Sequence, residues 1–522
     1  MSSADQAGRP NNGHPGQGPD IEVYAVHGAD PEVQAYGMAK YSRSALSMRE
    51  SLAEINEQKA EKFLNTFYFQ YGHRSIADLA HVAFAIERLS ILAATVVVDE
   101  PRWDGQERST RYQDFQKSGY YVPDFGDDAS RQLYCDTIDH LFTEYRHFSE
   151  AMFQHLRERT PKPAEMKQET YERTLRARAF DISRYLLPLA TNTSLGQIVS
   201  ARTLENQVSR LLSHSHAEVR RLGELLRRAA QGSAYNVGAA KAQELLKEIA
   251  SESPNAAEHA KEFLLRDVRV APTLMKYAEP NPYEMETRRE LTAAASELLS
   301  RVAIEDAPSV VLLDDDPLEV ELAATLLYQY SHHAYRQVRD MVVGMTDLQR
   351  REIIDLGLRH RGRHDEVARA FCAGQHFRFD ILMDIGGFRD MHRHRRCVQI
   401  VQEYTTAHGY DEPVEIADAG LERRYQAAME GARNTVAPLA TTADAEQQSQ
   451  YLIPLAFRKR TLFKMDLAEA IYISELRTGA AGHFSYRNVA YAMYEAVAQK
   501  YPALAKYFRI TDVREPMDLL KR

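Results

Sequence analysis

The chain has 522 residues, of which 44% are hydrophobic and 27% charged, a balance that predicts about two to four globular domains with ordinary cores. Its net charge of −9 argues against non-specific binding to nucleic acid or anionic membrane, so any anion site must be a local concentration of arginine and histidine. The three cysteines form no CxxC pair, which excludes a disulfide scaffold and a zinc ribbon. No apolar run reaches the ~18 residues of a membrane span. We therefore expect a cytoplasmic protein.

The chain begins with a tail, residues 1–20, whose glycine, proline and asparagine content predicts disorder. Alternating apolar residues at 21–25 then predict a short strand. Asp30 and Pro31 predict the start of a helix, since aspartate caps helix N-termini and proline suits the first turn. An apolar run of helix length follows at residues 82–98.

The same pattern returns far downstream, which indicates a tandem duplication. Residues 310–313 predict a strand, and Asp316-Pro317 predicts a helix start. The segment RYLLPLA at 184–190 corresponds to QYLIPLA at 450–456. Because these matches keep their order while their spacing drifts, we interpret the chain as two α+β copies with insertions. Prolines after a charged helical stretch from about residue 230 place the boundary between modules 21–280 and 281–522.

The first copy contains QERSTRY, which places a hydroxyl and two guanidinium groups after a Gly-containing turn. Those groups suit a phosphate monoester, which needs charge and directional donors. A solvated loop with a chance ion pair is the alternative.

The second copy contains six basic residues in FRDMHRHRR, between positions 389 and 396. So dense a cluster in an acidic chain indicates an anionic ligand, or else a face paired with acids elsewhere. A metal at His392 and His394 is disfavoured by the flanking arginines. Cys397, with a pKa lowered by the cluster, is a further candidate as a nucleophile.

Several of these segments resemble the flavin-dependent thymidylate synthases. The likeness lies in GHRSIADLAH, the S-x-R-Y ending of QERSTRY, SRYLLPLATNTSLGQIVSARTLENQ and SHAEVRR of the first copy. In the second copy it lies in RHR, QYLIPLA, MDLAEAIYISELR and GHFSYR. The resemblance implies two tandem copies of that family's fold, with helices packed on a mixed or antiparallel sheet.

The resemblance also implies roles for residues of both copies. It assigns to the substrate nucleotide Glu107, Ser109, Arg111, Tyr112 and Arg184. It assigns to the flavin His73, Ser75, Arg202, Asn206, His216 and His394. It assigns to catalysis Arg477, which addresses the pyrimidine, and Arg393 and Arg395, which orient the reactants. It implies no metal.

Each copy lacks part of the family pattern and keeps what the other lacks. Asp99, Glu100 and Pro101 stand where the first copy should have Arg-His-Arg, and VQIVQEYTT in the second copy lacks the serine and Arg-Tyr. We therefore expect a composite site in which Arg111 and Arg393 serve one set of ligands. A homodimer would rebuild the four-module assembly of the family.

The function implied is reductive C5 methylation of dUMP to dTMP with FAD, NADPH and methylenetetrahydrofolate. One alternative is a flavoenzyme that modifies another pyrimidine nucleotide at C5. Another is a flavin- or nucleotide-binding regulatory protein without catalytic activity. The acidic net charge disfavours a nucleic-acid partner.

Overall fold

The computed structural model of the chain describes residues 28–40, 57–64, 74–276, 278–362, 365, 367–440, 443–516 and 518–520. Helices pack on two antiparallel sheets, one in each copy, which confirms the predicted α+β class. The strand predicted at 21–25 lies outside the described residues. Within them, every helix is too short or too polar to cross a membrane.

The described part of the first module has a sheet in the order β1-β3-β2. Its strands are β1 (His81–Ser90), β2 (Asp104–Glu107) and β3 (Asn192–Ser200). Its helices are α1 (Pro31–Lys40), α2 (Glu57–Leu64), α3 (Ile91–Val97), α4 (Asp128–Arg159), α5 (Gln168–Ser183), α6 (Ala201–Leu212) and α7 (Ala217–Gln231), with 3₁₀ turns at Arg74–Leu79 and Arg184–Leu186. The connecting stretch forms α8 (Ala239–Glu252) and α9 (Pro254–Leu264).

The second module repeats this order around a sheet arranged β4-β5-β7-β6. Its strands are β4 (Val310–Leu312), β5 (Phe377–Asp384), β6 (Val398–Val401) and β7 (Arg458–Met465). Its helices are α10 (Pro282–Leu299), α11 (Leu318–Gln329), α12 (Tyr335–Val343), α13 (Asp347–Leu356), α14 (Ile385–Met391), α15 (Val414–Asp418), α16 (Glu422–Leu439), α17 (Ala443–Ser449), α18 (Leu467–Thr478), α19 (Phe484–Lys500) and α20 (Pro502–Ala505), with 3₁₀ turns at Arg369–Phe371 and Gln450–Leu452. The strand and helix predicted around Asp316-Pro317 are confirmed as β4 and α11.

The apolar run at 82–98 is divided between a strand and a helix instead of forming one helix. Ser90 ends β1, and its hydroxyl accepts a hydrogen bond from the Ala93 backbone N–H, which caps α3. Before this cap the run pairs with β3, from His81 opposite Ser200 onward. A capping side chain inside an apolar run therefore decides where strand gives way to helix. The second copy does the same at Asp384, which caps α14.

The two Leu-Pro segments that revealed the duplication pair with each other across the modules. The Leu189 N–H donates to the Ile453 carbonyl and the Leu455 N–H donates to the Leu187 carbonyl, each at 3.0 Å. Exchanging the modules converts one hydrogen bond into the other, so a local two-fold axis passes between the segments. One hydrophobic core also continues from the first module into the second. Side chains that flank the segments are thereby brought to a shared interface.

The connecting stretch is fastened back onto the first helix by two buried carboxylates. Asp30 precedes α1 as predicted, but its side chain accepts hydrogen bonds from Arg266 (2.8 Å) and the Arg269 backbone N–H (3.2 Å). Glu32 accepts one from the Thr273 backbone N–H at 2.8 Å. These contacts return the chain to the first module before the second begins.

Candidate functional site

Four arginines, two from each module, surround one carboxylate at the module interface. The carboxylate belongs to Asp390 in α14, whose side chain is 15% exposed. Burial alone would raise the pKa of this carboxyl, but the arginines outweigh burial and hold the pKa below its usual value. We call these four residues the arginine cluster: Arg184, Arg111, Arg393 and Arg477. The interface therefore carries a strong excess of positive charge, which suits an anionic ligand.

Arg184 has buried donor groups that the protein does not satisfy. It starts the 3₁₀ turn after α5 and is 1% exposed. Its Nη1 lies 3.5 Å from Asp390 Oδ2, while its Nε and Nη2 have no hydrogen-bond partner. A Cβ on Gly386 would stand 3.5 Å from the guanidinium Nε and Cζ, so the glycine backbone lies against this group. Unsatisfied buried donors are costly, and an anion would satisfy them.

Arg111 links the modules by contacts with protein groups on both sides. Its Nε lies 2.7 Å from Asp181 Oδ1 in α5. From the second module, Tyr486 accepts a hydrogen bond from Nη1 at 2.9 Å, and the Ala481 carbonyl accepts one from Nη2 at 3.1 Å. The guanidinium is thereby fixed in position beside Asp390, where its charge acts on whatever the arginine cluster binds.

Arg477 is held in place by a relay within the second module. Its Nε donates to His394 Nε2 at 2.7 Å, which requires that nitrogen to be unprotonated. The other ring nitrogen then carries the proton and lies 3.5 Å from Glu469 Oε1. Burial lowers the pKa of His394, consistent with a neutral ring. Both ring nitrogens of His394 thus contact protein groups, and one of these contacts holds the Arg477 side chain in place.

The QERSTRY segment faces the second module as the composite-site hypothesis requires. Glu107 forms an ion pair with Arg389 of α14, whose Nε is buried and has no partner. Ser109 accepts a hydrogen bond from the Arg111 backbone N–H at 3.2 Å. Tyr112 is 53% exposed at the edge of the segment. The structure thus brings the predicted nucleotide-binding residues of the first copy against the basic run of the second.

Not all of the residues that the resemblance assigns to the flavin are described. His73 and the side chain of Ser75 lie outside the described residues. Arg202 in the first turn of α6 pairs with Asp78 at 3.2 Å, and Asn206 is exposed one turn later. His216, the N-cap of α7, is buried and its Nε2 has no partner.

Arg395 of the second module packs against Trp103 of the first module. Its guanidinium carbon lies 4.6 Å from the centre of the Trp103 ring. Burial lowers the pKa of Arg395, and its Nε is buried without a partner. A guanidinium stacked on an indole with a free N–H presents a directed donor.

The acidic pair that replaces Arg-His in the first copy has a structural role. Asp99 lies 2.6 Å from Arg369 of the second module, and Glu100 lies 2.7 Å from Arg210 of the first. Asp99 therefore links the two modules, whereas Glu100 forms its ion pair within the first module.

Cys397 does not have the lowered pKa that an activated nucleophile needs. The thiol is buried and donates to the His394 carbonyl at 2.9 Å. Burial raises its pKa to about 12, so the nucleophile hypothesis is wrong. The basic run directly precedes Cys397 in sequence, but the burial of the thiol outweighs any lowering of its pKa.

Sequence reasoning missed the carboxylates and the tyrosine that organise the cluster. Asp390 is the one acid inside FRDMHRHRR, a signal that could have drawn attention to it. Tyr486 lies inside GHFSYR, Glu469 inside MDLAEAIYISELR, and Asp181 just before SRYLLPLA, but their contacts depend on how segments distant in sequence pack together.

Comparisons with known proteins agree with the duplication. Residues 24–234 and 309–503 each match the family described as Thymidylate synthase complementing protein. The UPF0159 protein of Chlamydia pneumoniae is 28% identical over 94% of this chain and 92% of its own length. The UPF0159 protein of Thermoplasma acidophilum is 24% identical over 91% of this chain and 94% of its own. A flavin-dependent thymidylate synthase of Clostridium tetani is 25% identical over 34% of this chain and 68% of its own.

Solved structures give a more distant similarity. A thymidylate synthase X of Helicobacter pylori, solved with FAD and dUMP, is 15% identical with a TM-score of 0.26 and covers 38% of this chain and 88% of its own.

Proposed function

This chain belongs to the family of thymidylate synthase complementing proteins, and on that premise we propose that it is a flavin-dependent enzyme that methylates dUMP, or a closely similar pyrimidine nucleotide, at a composite site. The observation that carries the proposal is the convergence of arginines from both modules on Asp390, with Arg184 buried and two of its donors unsatisfied. The site forms only when both modules contribute.

The 5′-phosphate of the nucleotide takes the unsatisfied donors of Arg184. A phosphate monoester carries close to two negative charges at neutral pH, and its oxygens accept directed hydrogen bonds. Asp390 keeps the arginines in place while the ligand is absent, because it partly neutralises their mutual repulsion. Arg111 contributes charge while its hydrogen bonds remain on Asp181 and the second module.

Arg477 acts at the pyrimidine edge. Uracil C5 is a weak nucleophile, and it becomes a stronger one when the ring carries negative charge on N3 and its carbonyl oxygens. A guanidinium held by His394 is a preorganised donor for that charge, so no reorganisation is needed during reaction. The proposal requires no cysteine nucleophile, in agreement with the buried Cys397.

The proposed enzyme uses FAD as its cofactor and NADPH and methylenetetrahydrofolate as co-substrates. Once reduced by NADPH, a bound flavin would supply the hydride for reductive methylation. Arg202 and Asn206, one helical turn apart on the accessible side of α6, and His216, with an unpartnered buried Nε2, provide donors for its phosphates and ring. Arg395 offers a further donor from the second module. These donor sets fit a diphosphate-bearing ligand that spans both modules.

One composite site per chain follows from the two-fold arrangement. Across the local axis, Gln450 stands where the RYLLPLA segment has Arg184, and Asp99 stands where RHR has Arg393. A neutral amide and a carboxylate cannot replace two guanidinium groups as anion ligands. The position related to the composite site by the two-fold axis therefore stabilises the interface, and a homodimer would hold two active sites.

Growth of a thymidine-requiring strain tests the reaction. Expression of the wild-type chain is expected to support growth without thymidine. The Arg184→Gln variant is expected to fail, whereas Arg176→Gln, which alters a half-exposed arginine on α5, is expected to support growth. A purified protein that retains flavin and binds dUMP but does not support growth would instead favour modification of another pyrimidine nucleotide.

A further inference from the structure

A second polar cavity, of about 260 Å³, lies in the second module away from the arginine cluster. It is bordered by the loop between β4 and α11, the first turn of α11 and the residues that lead into β5, and it opens to solvent on one side. The residues that line it are Asp315, Asp316, Glu321, Gly374, Gln375, His376 and Arg378. All belong to one module, so this cavity is independent of the composite site.

Arg378 at the start of β5 is 1% exposed, and its Nη2 donates a hydrogen bond to the Asp314 carbonyl. Its Nη1 lies 3.6 Å from Glu321 Oε2 and 3.9 Å from Asp316 Oδ2, distances too long for hydrogen bonds. Neither Nε nor Nη1 has a partner. A buried guanidinium with two free donors on a cavity wall calls for an acceptor in the cavity.

The same cavity also has free acceptors. The Asp316 side chain is 1% exposed. Arg339 Nε lies 2.8 Å from its Oδ1, while its Oδ2 has no hydrogen-bond partner. The side-chain carbonyl oxygen of Gln375 is likewise buried without a partner. Asp315, 65% exposed, adds a carboxylate at the rim. A ligand must therefore donate as well as accept.

The charges around the cavity balance, which restricts the ligand further. Three carboxylates line it, and three cations oppose them: Arg378 in the wall, Arg339 on Asp316 and Lys464 on Glu321. An ion of either sign would upset this balance, whereas a molecule with separate positive and negative ends would preserve it.

We propose that this cavity binds a small zwitterion of the α-amino acid type. Its carboxylate accepts from Arg378, and its ammonium group donates to Asp316, Gln375 and Asp315. Gly374 has φ +84° and open space where a Cβ would stand, so the loop leaves room beside the ammonium end. The volume suits a ligand of amino-acid size rather than a nucleotide.

The test is a titration of the full-length protein with each of the twenty common α-amino acids, with acetate and methylamine as matched half-ligands. At least one amino acid is expected to bind with one-to-one stoichiometry, and more than tenfold more tightly than either half-ligand. Asp315→Asn and Gln375→Ala should each weaken it about tenfold, since each removes one partner of the ammonium group. Asp347→Asn, at an aspartate 81% exposed in the same module and outside the cavity, should leave binding unchanged.

The proposal is overturned if no amino acid binds at millimolar concentration, if a half-ligand binds as tightly as the zwitterion, or if binding is unchanged in both Asp315→Asn and Gln375→Ala. Asp315 is exposed, so its variant is expected to fold even if Arg378 variants do not. Binding of dUMP, measured on the same preparations, should be unchanged by these substitutions, which separates this site from the composite one.

Discussion

Arg184 of the first module and Asp390 of the second lie 3.5 Å apart, although 206 residues separate them in the chain. Neither module could form this pair alone. The pair lies within the arginine cluster and shows how arginines of two incomplete copies come together at one place.

The hydrogen bond from Arg111 to Tyr486 should contribute to the docking of the modules. Tyr486→Phe is expected to lower the free energy of unfolding by about 0.5–1.5 kcal/mol, the usual net value of one hydrogen bond. Thermal unfolding would show this as a lower midpoint. Tyr472→Phe, at a tyrosine 54% exposed, serves as the control and should leave the midpoint unchanged. Equal midpoints for both variants would contradict a linking role.

Asp384 should make stability depend on pH in the acidic range. Burial, assisted by Asp411, raises the pKa of its carboxyl to about 6 from an ordinary value of 3.8. Between these values the unfolded chain ionises while the folded chain stays protonated, so stability is lost as pH rises from 4 to 6. The free energy of unfolding of the wild type should thus fall by roughly 3 kcal/mol relative to that of Asp384→Asn between pH 4 and pH 6. Above pH 6 the difference between the two proteins should stay constant.

Denaturant unfolding at pH 4, 5, 6 and 7 measures the difference. Asp418→Asn, at a side chain 46% exposed, is the control and should show no such window. A constant difference between the wild type and Asp384→Asn at all four values would contradict the raised pKa.

Lys459 should have the opposite effect in the basic pH range, where it should make the free energy of unfolding rise with pH. Burial lowers the pKa of its amine to about 7, and its Nζ lies 3.4 Å from the centre of the Tyr404 ring. Above pH 7 the folded chain releases a proton that the unfolded chain keeps until about 10.5, so stability rises with pH over this range. The advantage of Lys459→Met over the wild type is expected to shrink from pH 7 to pH 10.

The matched control for Lys459 is Lys506, which also lies over a tyrosine ring, at 5.0 Å, but is exposed. Lys506→Met should show no pH-dependent difference from the wild type. An advantage of Lys459→Met that stays constant with pH would mean that Lys459 remains charged when buried.

The sequence predicted what is written in contiguous motifs. The duplication, the strand at β4 and the helix starts at Pro31 and Leu318 are of this kind, whereas the meeting of QERSTRY with the basic run follows only from the family resemblance. The division of 82–98 into strand and helix was missed, because apolar residues are buried in either element and the decision rests on the cap at Ser90. Contacts such as Glu469 to His394 could not be predicted, since they depend on packing between distant segments.

The central claim is that one nucleotide phosphate is held by arginines of both modules. Its most direct test is calorimetric titration of dUMP into the wild type, Arg184→Gln, Arg393→Gln and the double variant, with Arg176→Gln as the control. Each single substitution is expected to weaken binding about 10- to 150-fold, and the double variant by less than the product of the two. Unchanged affinity in either single variant, or losses that multiply in full, would contradict a shared site.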